Sequence, residues 1–574
     1  MALIVVAEKG SVARAIRFTV NVPLVTVALR GHLLELDFPA EYRKWEKVEP
    51  KKLFEAKVDW TVRDSKTYRE LVSTLRQYEN PTVILATDND HEGELIAYEV
   101  LLVARRELGG NFKFKRMRFN STTREELWEA WNNLEDDLKW SWVWKAYFRH
   151  KFDLITGAIY TRLLTLSARR AGGNVRLISW GSCQTPTLWF ILKREKEIRE
   201  FKPETYYVLE AELNVKGVKI KASSEPIRSE AEARKLYSKI RGVDEATVKR
   251  FELRVEVERK PYPTDTDRML QELTKITGLS SARIMAEAEE LYAEGYISYP
   301  RTQTNQWVDI DHRKILDMLS QSHLADYLKA GGLNPRSGSR NDGAHPPVYP
   351  TRAYWGENVK GKIWEYVARR YLANVLYDDA RLIRWMLNAE IEGVNLESKG
   401  RYFVDEGFYK VFPYFKPRET LRIPEVKEGE TLPVENVRLR RSKTRPPPRL
   451  SEAELLRLME EHGIGTDATR HEFPSLILDR GYAVKKGKTF MLTELGENLL
   501  ELLAKIDSSL VTPETRKLVE ETMARVEAGE VSLEEALDET LKIYRELYVK
   551  LEERIGIIGE TLAKSLSQTV EKRK

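Results

Sequence analysis

Cysteine is almost missing from this chain: Cys183 is the only one in 574 residues. That excludes a disulfide within the chain and a zinc ribbon, which needs paired cysteines. Long apolar runs are missing too. None approaches the roughly 18 residues that span a bilayer. The opening Met1-Ala2-Leu3-Ile4-Val5 starts as a strand, so no signal peptide is expected and the expected compartment is intracellular. Charge of one sign does not dominate: 94 Lys+Arg face 89 Asp+Glu, leaving net +5 and a pI near 8.8. Such a balance permits a nucleic-acid partner without requiring one. A nucleotide-binding loop is also lacking. Residues 356–363 nearly spell one, but Ile363 stands where the metal-binding Ser/Thr belongs and no apolar strand precedes it, so ATP use is not expected. Charge as such is plentiful. At 32% it exceeds the roughly 25% of ordinary soluble domains, which together with the cysteine scarcity points to a thermophilic source.

A chain of this length exceeds one core, so three to five domains or subdomains are expected. Residues 1 to about 145 alternate strand-like runs (3–7, 83–86) with helical stretches such as 95–108, the pattern of an α/β sheet. Sequence from about 150 to 200 is helical, 205–257 alternates as strands, about 264 to 375 is helical again, and strands return from about 380 to 440. The chain is therefore expected to leave and re-enter one β domain, with a helical domain inserted. In that insert Ile284, Ala288, Leu291 and Tyr292 fall on one helical face, with a serine to cap the start and Gly295 to end it. Past Arg445-Pro446-Pro447-Pro448, Ser451 and Glu454 spell a capping box whose helix closes at Gly463. A second helix reaching Arg480 and a hairpin over 482–492, turning at Gly487, complete a winged-helix-like order. Such units bind DNA in some proteins and only pack in others. The basic run at 438–445 reads equally as a phosphate-contacting strip and as an exposed basic linker. From about 540 the sequence reads as one helix with a basic end, Lys572-Arg573-Lys574.

One run concentrates acidic chemistry: Thr87-Asp88-Asn89-Asp90-His91-Glu92-Gly93-Glu94, directly after the apolar 83–86. Carboxylates at alternate positions past a strand end can converge on one divalent cation, and Mg2+ needs only a few of them beside water and phosphate oxygens. Open α/β sheets place ligands at the carboxyl ends of their strands. The same residues also suit a helix N-cap and a solvated loop. Glu8-Lys9-Gly10 follows the first strand and lies beside the acidic run if the two strands are parallel neighbours. Glu8 would then add a carboxylate and Lys9 a point charge for a phosphate; an exposed Glu-Lys pair is the plain alternative. In Ser298-Tyr299-Pro300-Arg301-Thr302, the tyrosine can attack phosphorus and the arginine can steady the charge that develops, or both tyrosines of the turn merely fill space.

Seven motifs then occur in one order: Glu8-Lys9, Gly31-His32-Leu33-Leu34-Glu35, the acidic run, Gln184-Thr185-Pro186-Thr187-Leu188, Ser298 to Thr302, Ala344-His345-Pro346-Pro347 and Gly463-Ile464-Gly465-Thr466-Asp467-Ala468-Thr469. In that order they resemble type IA DNA topoisomerases, most of all the archaeal-type topoisomerase III branch, from residue 1 to about 500. The resemblance implies a multidomain α/β plus α plus β protein. Its parts would be a Toprim metal-binding domain (1–148), a helical DNA-binding domain (149–203 and 446–574, winged-helix-like over 450–500), a β-rich hinge (204–258 and 378–445) and a helical domain carrying the catalytic tyrosine (259–377). Together they would form a toroid around a hole sized for duplex DNA.

The resemblance also implies ATP-independent cleavage of one strand through a 5'-phosphotyrosyl link, strand passage and religation, relaxing negatively supercoiled DNA or decatenating. Tyr299 would be the nucleophile, Arg301 would bind the scissile phosphate, and Lys9 would stabilise its charge. Glu8, Asp88 and Asp90 would hold Mg2+, with Glu92 in the metal set. Glu8 is also the implied proton donor to the leaving 3' oxygen, which requires it to be protonated at that step. His32, Ser179, Gly181, Ser182, Gln184, Thr185, His345, Thr466 and Asp467 would contact DNA. Single-stranded and negatively supercoiled DNA are the implied partners, with a helicase or single-strand-binding protein beside them. Neither membrane nor ATP is involved, and a nucleoid-associated cytoplasmic monomer is expected. The chain departs from the family in three places. His91 stands where an arginine is usual, Ser182 replaces the arginine of the Gly-Arg-Val-Gln-Thr-Pro motif, and no zinc-binding module is present. Two other readings remain: a Toprim nuclease or primase working without Tyr299, and a non-catalytic single-strand-binding protein for which Asp88 and Asp90 are dispensable.

Overall fold

The apolar runs near the N-terminus form the sheet their pattern predicts. In the computed structural model, which describes residues 2–308, 310–330 and 332–571, this region runs β1 (Leu3–Ala7), α1 (Gly10–Thr19), β2 (Val25–Ala28), a hairpin of β3 (Leu34–Asp37) and β4 (Asp59–Val62), α2 (Ser65–Arg76), β5 (Thr82–Ala86), α3 (His91–Leu108), β6 (Lys113–Arg116) and α4 (Arg124–Asn132). Met1 and the basic end 572–574 lie outside the described residues. The main sheet has the order β2-β1-β5-β6 and is parallel throughout. Parallel strands are covered on both faces and so read as unbroken apolar runs; Ile4, Val5, Val6, Val83, Ile84 and Leu85 are all buried. Ala7 pairs with Ala86, so the two chains leave the sheet side by side, Glu8 next to the acidic run. Helix α3 starts at His91, earlier than residue 95, because Asp90 caps it: its Oδ1 accepts from the Gly93 N–H at 2.7 Å. The capping reading of the acidic run is thus correct as far as it goes.

Two helices follow, α5 (Trp140–Arg170) and α6 (Gln184–Glu200), and then the β region: β7 (Thr205–Val215), β8 (Val218–Ser223), α7 (Glu230–Ile240) and β9 (Glu245–Glu258). The chain next makes α8 (Thr266–Thr277), α9 (Ser281–Ala293), α10 (His312–Leu319) and α11 (Val359–Val375), and returns through β10 (Ala380–Ile391), β11 (Val394–Asp405) and β12 (Thr431–Lys443). Strands from both passages close one barrel, in the order β10-β11-β8-β7-β12-β9. The chain leaves it by β9 and re-enters by β10, which are antiparallel neighbours. Asp379 ties the two tethers together, accepting from Arg259 Nη1 at 2.8 Å and from the Lys260 N–H at 2.9 Å. The basic run is no linker: 438–443 belong to β12, where Arg438, Arg440, Arg441 and Lys443 are exposed while Val437 and Leu439 turn toward the barrel. The near-P-loop at 356–363 is the start of α11, capped by Asn358, whose Oδ1 accepts from the Gly361 N–H at 3.0 Å.

The last passage contains α12 (Glu452–Glu461) with its capping box, the short α13 (Phe473–Asp479), and a hairpin of β13 (Ala483–Lys486) and β14 (Thr489–Leu492) with Gly487 at φ +63. Then come α14 (Glu494–Ile506), α15 (Pro513–Glu527), α16 (Leu533–Glu552) and α17 (Ile555–Glu571). The single helix expected beyond 540 is therefore two, broken at Glu553-Arg554. One core packs α5 and α6 against these C-terminal helices, with Phe152, Tyr160 and Trp180 around Tyr544. Another joins the N-terminal sheet to the inserted helices, Ile16 and Phe119 sharing a cluster with Leu291 and Tyr292. That second core sits beside the acidic run.

Candidate active site

The acidic run is held from below. Arg116, fully buried at the end of β6, pairs through Nε with Glu94 Oε1 at 2.8 Å. Its Nη1 donates to the carbonyls of Leu85, Thr87 and Met117, and its Nη2 to that of Asp88 at 2.8 Å. A buried guanidinium bonded through all three nitrogens fixes the path of the loop. Gly93 allows the closeness: a Cβ there would lie 1.9 Å from the Asp88 carbonyl oxygen. On the upper side the Asp88 N–H donates to Glu8 Oε2 at 3.1 Å, and Lys9 Nζ lies 3.2 Å from Asp88 Oδ2. Burial, then the Asp88 carboxylate, pushes the Glu8 carboxyl up to about 8.

Tyr299 comes to this group from the inserted helices. Its N–H donates to the Asn120 carbonyl at 2.8 Å, and its hydroxyl donates to Asp90 Oδ2 at 2.5 Å. The side chain is 2% exposed, and the Tyr292 and His345 rings stand 5.0 and 4.9 Å from its own. Burial, then Asp90 and Asp88, holds the phenol well above its ordinary value, so it is protonated. Burial works to raise Asp90, but Arg301 and the Tyr299 hydrogen bond outweigh it and keep the carboxylate ionised. Arg301 Nη2 pairs with Glu289 on α9, and Lys9 Nζ lies 3.9 Å from the same carboxylate. His345 donates or accepts through Nδ1 with Asp342 Oδ2 at 3.2 Å; its Nε2 is buried without a partner.

The other expected site residues divide. Thr466 and Asp467 line a cleft of about 250 Å3 with Asp90, His91, His345 and Glu527, next to the tyrosine. Glu92 is held by a different set of partners, His32 and His150 among them, whose ligand atoms lie close enough to its own to share a metal ion. Its oxygens are taken by Arg149 Nη2 at 2.5 Å, His150 Nε2 at 2.8 Å and His32 Nε2 at 3.0 Å. His32 is also bound on its other nitrogen by Glu99 at 2.7 Å. Burial pulls this imidazole down, but the two carboxylates prevail and hold it up at about 10. The residues expected to contact DNA at the start of α6 lie inside the protein in this structure. Ser179, Ser182, Gln184 and Thr185 are buried, and they bond to the protein itself: Gln184 Nε2 donates to the Ser179 carbonyl, Thr185 Oγ1 accepts from the half-buried Gly181, and Ser182 Oγ donates to Asp153. Ser182 has an arginine beside it after all, since Arg516 Nη1 of α15 donates to its hydroxyl at 2.8 Å. His91 meets Glu527 of α15 at 2.8 Å and packs 4.8 Å from the Trp142 ring. Arg116, Arg149, His150, Asp342 and Glu289 were missed by sequence reasoning. They are scattered over β6, α5, α9 and the loop before His345, without a local pattern to mark them.

The donors of Glu8, Asp88 and Asp90 are oxygen only, and burial and then the Asp88 charge force Glu8 toward protonation. Such a set fits a hard divalent cation, which would relieve that repulsion. Comparison with known proteins agrees. The Toprim domain model matches residues 3–122 and the DNA topoisomerase model residues 137–538. The chain is 32% identical over 561 residues to DNA topoisomerase 1 of Archaeoglobus fulgidus, covering 96% of this chain and 80% of that protein. The chain belongs to the type IA DNA topoisomerase family. It is also 31% identical over 560 residues to human DNA topoisomerase 3-beta-1, covering 94% of this chain and 64% of that longer protein. Full-length topoisomerase I from Thermotoga maritima has the same fold, with a TM-score of 0.76 at 24% identity over 95% of this chain and 90% of the other. As a type IA topoisomerase, this protein is an isomerase that acts on DNA, and its Toprim domain is of a metal-binding kind. Among the described residues no helix is long and apolar enough to cross a membrane.

Proposed function

We propose that Tyr299 cleaves one DNA strand and keeps its 5' end as a phosphotyrosine, in a site shared between the N-terminal sheet and the inserted helices. The observation that carries this reading is the hydrogen bond from the Tyr299 hydroxyl to Asp90, with Glu8, Lys9 and Arg301 around it. In the forward step Asp90 Oδ2 takes the phenolic proton as Tyr299 Oη bonds to phosphorus. The bond to the 3' oxygen breaks, and that oxygen takes the proton of Glu8, which the site keeps protonated up to about pH 8. Charge gathering on the non-bridging oxygens faces Lys9 and Arg301. Religation runs the same path backward. The phosphotyrosine conserves the energy of the broken bond, so no nucleotide is required. Asp88, Asp90 and Glu8 are the residues that would hold Mg2+, which would supply charge neutralisation and alignment of the strand ends.

Single-stranded segments of negatively supercoiled DNA are the proposed substrate, relaxed or decatenated by passage of a second strand through the gap. The division into 1–148, 149–203 with 446–574, 204–258 with 378–445, and 259–377 is the one in which the nucleophile and the carboxylates lie on separate bodies. The test is trapping on end-labelled single-stranded DNA. The wild-type chain is expected to form a covalent adduct at Tyr299 and to relax plasmid only with a divalent cation, both activities vanishing in Tyr299→Phe. Strand cleavage by Tyr299→Phe would sink the topoisomerase mechanism in favour of a Toprim nuclease, and undiminished relaxation in EDTA would sink the metal assignment.

A further inference from the structure

Glu289 stands on α9, ten positions before Tyr299 in the chain, on the polar side of a helix whose other face (Ile284, Ala288, Leu291, Tyr292) is buried. Its only ion pairs among the described residues are with Arg301 and Lys9, Oε1 to the Arg301 guanidinium and Oε2 at 3.9 Å from Lys9 Nζ. These are the two cations that the proposed mechanism gives to the scissile phosphate. A carboxylate and a phosphodiester each carry one negative charge on two free oxygens, and both suit a guanidinium fork. A phosphate reaching Arg301 and Lys9 therefore meets a site already filled by a group of like charge and similar shape. Arg301 Nε is buried and unpartnered while Nη2 is engaged, so the present pairing uses only part of the fork.

We infer that Glu289 is a place-holder for the scissile phosphate, holding Arg301 and Lys9 in position in the empty site and displaced when DNA arrives. Glu289 is a positioning residue, acting through Arg301 and Lys9. Its presence has two effects. The two cations stay preorganised without DNA, and any anion must displace the carboxylate before it is bound. Nucleotides that offer phosphate alone are thereby disfavoured against a strand whose flanking contacts help to drive the exchange.

This inference rests on the assignment of Arg301 to the phosphate, and the test separates the two. Binding of a short fluorescein-labelled single-stranded oligonucleotide is measured by anisotropy in EDTA, with the full chain carrying Tyr299→Phe so that no chemistry intervenes. Adding Glu289→Gln is expected to tighten the Kd by roughly three- to fivefold, the worth of one partly screened ion pair. The gain is expected to vanish when Arg301→Gln is also present, an outcome that a merely structural role of Glu289 would not produce. Unchanged or weaker binding in Glu289→Gln overturns the inference, as does a gain that persists without Arg301. Thermal melting of each variant establishes that it is folded. Should Arg301→Gln alone leave the Kd unchanged, the phosphate assignment fails and the place-holder with it. Loss of the covalent adduct with the Glu289 gain intact strikes only the proposed chemistry.

Discussion

Glu8 faces two demands, as a ligand for a cation and as the acid for the leaving oxygen. Burial beside Asp88 keeps its proton to about pH 8, which favours the acid role, with Asp88 and Asp90 left as the main anchors for the cation. Glu8→Gln retains the hydrogen bond from Asp88 but has no proton to give. It is expected to slow adduct formation by about a hundredfold or more while leaving the oligonucleotide Kd unchanged; single-turnover cleavage checks this, and an unchanged rate would assign the acid elsewhere. Glu8, Lys9, Asp88, Asp90, Tyr299 and Arg301 were all legible in the sequence because each sits in a short contiguous motif. The partners of Glu92 were not legible: Arg149 and His150 come from α5 and His32 from another stretch of the chain, and nothing near residue 92 announces them. Ser179, Gln184 and Thr185 had internal partners that were just as hidden. A polar side chain looks the same in sequence whether it turns to DNA or to its own backbone.

Parallel strands gave the plainest signal among the elements, since an unbroken apolar run of five can hardly be anything but a strand covered on both faces. Boundaries were harder. Helix α3 begins at His91 because Asp90 does double duty, capping with Oδ1 and meeting Tyr299 with Oδ2. The break between α16 and α17 falls just ahead of Gly556 and Gly559, weak helix formers that the expectation of one helix passed over. In β12 arginine alternates with half-buried Val437 and Leu439, a pattern that charge density hid. The turn into α3 also offers a test. Gly93→Ala would bring a methyl to within 1.9 Å of the Asp88 carbonyl, so the acidic loop must move off Arg116. Adduct formation is expected to fall at least tenfold, with a stability loss of about 1–3 kcal/mol by urea denaturation. Wild-type cleavage in this variant would show that the loop tolerates displacement.

Across the molecule, the tyrosine lies in a seam between the N-terminal sheet and the inserted helices. Tyr299 is buried, and Asn89 Nδ2 of the N-terminal sheet lies 3.4 Å from the Ala344 carbonyl of the inserted part. Cysteines placed at 89 and 344 and joined by oxidation are expected to abolish plasmid relaxation, with activity restored by dithiothreitol. The native thiol does not interfere, since Cys183 is buried and burial pushes it up to about 12. Relaxation by the oxidised protein would refute a gate at this seam. The inserted part hangs from the barrel by two strands that are themselves hydrogen-bonded neighbours, pinned together at Asp379. Two anchor points set side by side define an axis. They let a door swing while resisting twist and sideways drift, and a closed barrel, having no free edge to slide, makes a stiff post. Tension on a severed strand held at Tyr299 would thus be converted into rotation about one line, so that the broken ends return to the distance from which they parted.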